Sequence, residues 1–329
     1  MSKPILSKRV IDLLFALVVP ILSADFVLER LKLSAFYGQV ATPAMLVEGT
    51  AYLPYQSRVL IPWLVYILRD GLHFEYLSVL QVFRFFEFMA TIGLAFALRY
   101  YLSLFISDWS LASISACSVF YILPFNFTQT LWYPWDIPAV LFFTLGLTFI
   151  YKRYWLGYYL LFAVATLNRE TTLLLVGLYV LAEINQATQW RMGLGVAAQL
   201  LIWGSIRYGL YHVYRHNPQL GNGWFELQIM HNIVRLQDPT NVIDVLSVYG
   251  FIWIPIIMWR SWIDNAFVKK TLWLIPALFV IMGGVGVIHE LRIYGEGIPV
   301  VLSAFWVILR NLFQKTAGLS NPHPNTTGI

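Results

Sequence analysis

The sequence predicts an all-α fold: a polytopic transmembrane helix bundle of about ten spans, with an interfacial helix in its first outer loop. Three observations lead there. The chain is 59% hydrophobic and only 12% charged, with a mean hydropathy of +0.66. Long apolar stretches recur from residue 10 to residue 312. No polar segment between them is large enough to build a soluble core. Residues 1–312 are therefore expected to form a single membrane domain. Residues 313–329, ending in the Pro- and Asn-rich "NPHPNTTGI", are expected to form a disordered tail.

The first apolar run follows "MSKPILSKRV" and has the outline of a signal peptide. Leu22, however, stands three residues before a break after Ala24, where cleavage wants a small side chain. Residues 10–28 are thus read as an uncleaved first span. The segment "VLIPWLVYILRDG" (59–71) contains Pro62, ends in Arg69 and Asp70, and is too short to cross about 30 Å at about 1.5 Å per residue. It is read as the interfacial helix. Further spans are expected at 76–99, 110–126, 137–151, 154–167, 171–184, 192–214, 242–259, 271–288 and 297–312. The one cysteine, Cys117, lies in an apolar run, which excludes a disulfide framework and a cysteine-based metal site.

Lys and Arg set the orientation. With a cytoplasmic N-terminus, Lys8, Arg9, Arg99, Lys152, Arg153, Arg191, Arg260, Lys269, Lys270 and Arg310 all fall inside, as the positive-inside pattern requires. Both termini are then cytoplasmic, and residues 29–75 and 215–241 lie outside. Were 154–184 a single broken helix, every later basic loop would be turned outward, so the charge bias favours two crossings there. Each of those crossings has about fourteen residues, or about 21 Å, so the turn "NRE" between them should sit below the outer surface. Non-helical backbone at such depth is tolerated where it lines a polar cavity or is buried by protein.

The polar motifs gather at that outer level: "PYQSRVLIPW" with Arg58, "LWYPWDIPA" with Asp136, "NRETTLLL" with Arg169 and Glu170, and "HELRIYGEGIP" with Glu290, Arg292 and Glu296. Plain structural roles compete for each. Asn168 and Asp136 suit helix N-termini, Arg292 and Glu296 have ion-pair spacing, and Arg58 is placed to snorkel. Arg169 fits the plain role least, because a cation at a helix N-terminus opposes the dipole unless an anion is close by. Arg84 and Glu87, three apart within a span, are expected to neutralise one another. The six histidines show no zinc-type pairing. "NFT" at 126 and "NTT" at 325 match the glycosylation pattern.

With its long first outer loop carrying "SRVLIPWL", followed by "YPWDIPAVLFFTLGL", "NRETTLLL" and "LRIYGEGIP", the chain resembles the GT-C superfamily of membrane glycosyltransferases, especially small bacterial members without a soluble C-terminal domain. The resemblance covers most of the chain as an architecture and rests on short motifs. It implies an enzyme of the bacterial inner membrane and cell envelope that transfers a sugar from a polyprenyl-phosphate carrier to a glycan, lipid or protein acceptor on the extracytoplasmic face. No nucleic acid is involved. The implied general base is Asp136 or Glu48, with Asp25 behind them, although no acidic pair follows the first span as the family pattern would have it. Arg58, Arg169 and Arg292 are the expected phosphate ligands, oriented by Glu170, Glu290 and Glu296. No cofactor is demanded, and a divalent ion among the carboxylates stays open. The rival reading is a transporter or flippase for a lipid-linked or anionic substrate, in which broken helices also line a charged cavity.

Overall fold

The computed structural model describes residues 8–31, 40–127, 133–220 and 227–316. Helices occupy all ten expected stretches, and among the described residues the only β-type pairing is an isolated bridge between Leu53 and Gln219. Four helical stretches are long and apolar enough to cross a membrane: Val79–Ser103, Trp109–Phe127, Ala266–Val285 and Leu291–Thr316. Pro239–Leu246 and Val248–Trp262 make a fifth if this pair, bent by 61°, counts as one span. The expected ten therefore reduces to four or five by length and composition. Asp136–Lys152, Trp155–Asn168 and Leu174–Glu183 have 17, 14 and 10 residues. At about 1.5 Å per residue they fall short of a bilayer's hydrocarbon. Gln189–Tyr214 has the length, with 26 residues, but carries Arg191, Gln199, Arg207 and His212.

Local chemistry explains where the long helices begin. Ser78 and Gln81 exchange hydrogen bonds in a capping box at the start of Val79–Ser103, and Asp108 accepts from the Ser110 and Leu111 amides ahead of Trp109. Each satisfies amides that a helix leaves unpaired. Val79–Ser103 turns Phe83, Glu87, Ala90, Leu94, Leu98 and Tyr101 inward, the three-and-four spacing of one helical face, and lies against Asp136–Lys152. Large apolar side chains such as Leu160, Leu201 and Val280 point outward, each more than 60% exposed. Apolar surface on that scale belongs against lipid rather than water.

Trp155–Asn168 and Leu174–Glu183 form a hairpin. Arg153 Nη2 lies 3.0 Å from Glu183 Oε1 and also donates to Gln186, so the two outer ends sit at one level. The backbone turns at Arg169 and the 3-10 segment Glu170–Leu173. A single broken helix is excluded.

The first loop packs onto the same end of the bundle. Pro43–Glu48 is capped by Thr42, and Leu60–Tyr66 continues into a π-helical turn, Ile67–Gly71. Leu46, Ile61 and Val65 form a second apolar cluster with Phe83, Tyr133 and Trp135. The Val59 amide donates to the Leu167 carbonyl at 3.0 Å, which ties this loop to the hairpin turn.

Three expectations change. No ion pair joins Arg84 to Glu87: three residues is 300° of helical turn, and here that places Arg84 at the exposed edge while Glu87 is buried. Asn126 of the "NFT" pattern is fully buried, donating to the Leu291 carbonyl and accepting from the Tyr249 amide; it is structural. The last helix continues to Thr316, four residues into the expected tail, because "NLFQKT" carries on the helical pattern. The rest of that tail, with the sequon at 325, lies outside the described residues.

Candidate functional site

Asp136 opens its helix immediately after the aromatic run that ends in Trp135. Tyr133 and Trp135 stack at 4.8 Å, and this folds the backbone so that Asp136 Oδ2 accepts the Tyr133 amide at 2.9 Å. The carboxylate therefore sits at the positive end of a helix dipole. Asn168 Nδ2 donates to the Trp135 carbonyl at 2.9 Å, fastening the hairpin turn beside it.

Arg169 follows in extended conformation and is 4% exposed. Its Nη1 lies 3.3 Å from Asp136 Oδ1 and 3.2 Å from Glu296 Oε1. Glu296 is further held by the Thr171 hydroxyl at 2.5 Å. Arg292 places Nη1 3.7 Å from Asp136 Oδ2 and Nη2 2.5 Å from Glu290 Oε2. On the other side Arg58 grips Glu170 with both arms, Nη2 to Oε1 at 2.5 Å and Nε to Oε2 at 3.2 Å. Burial alone would raise the Glu170 carboxyl, but Arg58 and Arg207 hold it well below the usual carboxylate range.

The stacked rings act as a spacer. Arg292 lies over Tyr133 at 4.7 Å and Arg58 over Trp135 at 5.1 Å, so one guanidinium is seated on each ring of the stack. Asp136, Arg169 and Glu296 form the enclosed floor, while Glu170 and Glu290 have side chains 31% and 30% exposed and mark the open side. Six buried polar atoms here have no hydrogen-bond partner: Trp135 Nε1, Asp136 Oδ1, Asn168 Oδ1, Arg169 Nε, Arg292 Nε and Glu296 Oε2. The described protein has ten such atoms in all, so this polar deficit is concentrated at one place. Folded proteins normally satisfy buried polar groups.

Arg58, Asp136, Arg169, Glu170, Glu290, Arg292 and Glu296, drawn from four separate stretches of sequence, thus meet in one cluster. Asp25 and Glu48 do not join it. Both are exposed, Asp25 on the helix Val19–Leu31 and Glu48 at the end of Pro43–Glu48, and neither bonds to the cluster. Among the described residues no three His, Cys, Asp or Glu side chains are grouped to hold a metal ion.

Arg207 is the member that the sequence reading missed. It is 7% exposed, donates to the Ser57 carbonyl and hydroxyl at 3.2 and 2.9 Å, and lies 3.9 Å from Glu170 Oε2. The available signal was an arginine inside the apolar run "IWGSIRYGL", a functional candidate by default within a membrane helix. Trp203, one turn earlier, donates to the Glu170 carbonyl at 3.1 Å.

Fold and site together define a helical protein, built of helices able to cross a membrane, with a buried arginine–carboxylate network at one end. No protein-family model, curated protein or solved structure matches the chain.

Proposed function

We propose that this protein is a membrane glycosyltransferase of the GT-C type. It would move a sugar from a polyprenyl-phosphate donor to an acceptor hydroxyl on the extracytoplasmic face of a bacterial inner membrane. The reading takes the ten helical stretches as crossings, with both termini cytoplasmic and Leu60–Tyr66 lying in the interface. The observation that carries it is the concentration of unpartnered buried polar atoms within a cluster of four arginines and four carboxylates.

The chemistry divides over that cluster. In an inverting transfer the acceptor oxygen bonds to the anomeric carbon while the carbon–oxygen bond to the phosphate breaks. The acceptor proton passes to Asp136, whose Oδ1 has no hydrogen-bond donor of its own. The phosphate departs with one more negative charge than it had as a diester. Cations beside it therefore stabilise the transition state more than the bound donor. Arg58 and Arg292, beside the open-side carboxylates, are assigned to the phosphate. Arg169, already paired with Asp136 and Glu296, holds the base in position.

Binding of polyprenyl phosphate, the released product, tests this without knowledge of the sugar. Purified protein in nanodiscs should bind it at least about tenfold more tightly than the uncharged polyprenol, since one charge-assisted contact is worth about 1.5–3 kcal/mol. Combined Arg58→Gln and Arg292→Gln should erase the difference, whereas Asp136→Asn should retain it and abolish sugar transfer. Equal binding of phosphate and alcohol by the parent protein overturns the proposal.

A further inference from the structure

A second cavity, of about 540 Å³, lies between the helix Trp253–Trp259 and the helix Leu274–Val285. Its chemistry differs from that of the charged cluster. The walls are Val248, Ile256, Leu272, Ile275, Pro276 and Phe279. Ile257 and Trp273, also lining it, are each 65% exposed, so the slot opens sideways onto the outer surface of the bundle.

The two ends are unlike. One reaches Tyr249, whose hydroxyl donates to the Tyr294 carbonyl at 2.8 Å, two residues before Glu296 of the charged cluster. The other reaches Arg260 and Lys269. From Tyr249 to Arg260 is eleven residues, about 16 Å of helix, so the cations stand at the end remote from the cluster. Both are exposed, and neither forms an ion pair among the described residues. The nearby Asp264 is engaged by Arg310 at 2.5 Å.

We propose that this slot binds an anionic diacyl phospholipid, with one acyl chain between the helices and the phosphate on Arg260 and Lys269. A small polar ligand has little to hold along the walls. A lipid-linked sugar has its phosphate assigned to the opposite end. A lipid tail with a negative headgroup satisfies both the apolar wall and the two free cations, as basic pockets between membrane helices do elsewhere. The site does not depend on what the charged cluster does.

Delipidated protein in detergent, titrated with phosphatidylglycerol and with phosphatidylcholine of identical chains and followed by native mass spectrometry, gives the test. Phosphatidylglycerol should bind about tenfold more tightly. Arg260→Gln with Lys269→Gln should bring the ratio close to one. Ile257→Trp, which fills the slot from its exposed side and leaves the charges in place, should weaken both lipids. Arg191→Gln, an exposed cation away from the slot, should alter neither. A parent protein that does not discriminate between the lipids overturns the site. So does a preference that survives the double variant, or one abolished by Arg58→Gln instead.

Discussion

A guanidinium at the start of a helix faces the positive end of the dipole, and at Arg169 the opposing anions are Asp136 and Glu296. Arg169→Gln would leave two buried carboxylates without their counter-charge. Breaking a buried pair in this way costs about 3–5 kcal/mol, so thermal unfolding in detergent should show a large loss of stability, smaller for Arg169→Lys. An unchanged midpoint for Arg169→Gln would remove it from the network. Glu87 is the opposite case. Buried, with Oε1 unpartnered and no ion pair to Arg84, it should become less costly as a neutral amide. Glu87→Gln is therefore expected to unfold at the same or a higher temperature, and a clear decrease would mean that Glu87 has an ionic partner after all. The sequence exposed Arg169 because its charge was wrong for its position. It misled at Glu87 because three-residue spacing fixes neighbourhood on a helix but not which neighbour turns inward. Arg207 escaped notice because one cation scarcely alters the hydropathy of a 26-residue helix.

At the scale of elements, the run 242–259 read as one straight span and is instead bent by 61°. Tyr249, Gly250 and Phe251 have φ of 57°, 62° and 62°, a left-handed turn inside an apolar stretch. The bend brings Tyr249 to the Tyr294 carbonyl and to Asn126, and so fastens the segment carrying Arg292 and Glu296. A Cβ on Gly250 would stand 2.8 Å from Tyr121 Cε1 as well as in a conformation disfavoured for L-residues. Gly250→Ala should cost about 1–2 kcal/mol from the backbone alone, read as a lower unfolding temperature. A neutral result would mean that the bend relaxes freely. Hydrophobic periodicity could not show this turn, because both halves are apolar and Gly250 is the only local sign of a left-handed residue. Caps were easier to place: Asp136, at the start of its helix, is a short-range feature of sequence.

For the whole molecule the question is which ends share a side, and the hairpin of Trp155–Asn168 and Leu174–Glu183 decides the parity of everything after it. Because Arg153 reaches Glu183 and Gln186, residues 152 and 185 belong at one level whether the two short helices cross fully or only enter. Either way Arg191, Arg260, Lys269 and Lys270 keep the side assigned by the positive-inside rule. The turn with Arg169 then lies toward the opposite side, together with Arg58, Asp136 and Arg292. Single cysteines in a Cys117→Ser background test this against a membrane-impermeant thiol reagent. Lys152→Cys, Asn185→Cys and Lys269→Cys, all at exposed positions, should react only after the cells are permeabilised. Thr240→Cys, also exposed, should react in intact cells. Opposite labelling of positions 152 and 185 would separate ends that the Arg153–Glu183 ion pair joins and so break the hairpin. Labelling of 152, 185 and 269 from outside, with 240 protected, would keep the hairpin and invert the molecule, placing the charged cluster on the cytoplasmic face and excluding transfer on the extracytoplasmic one.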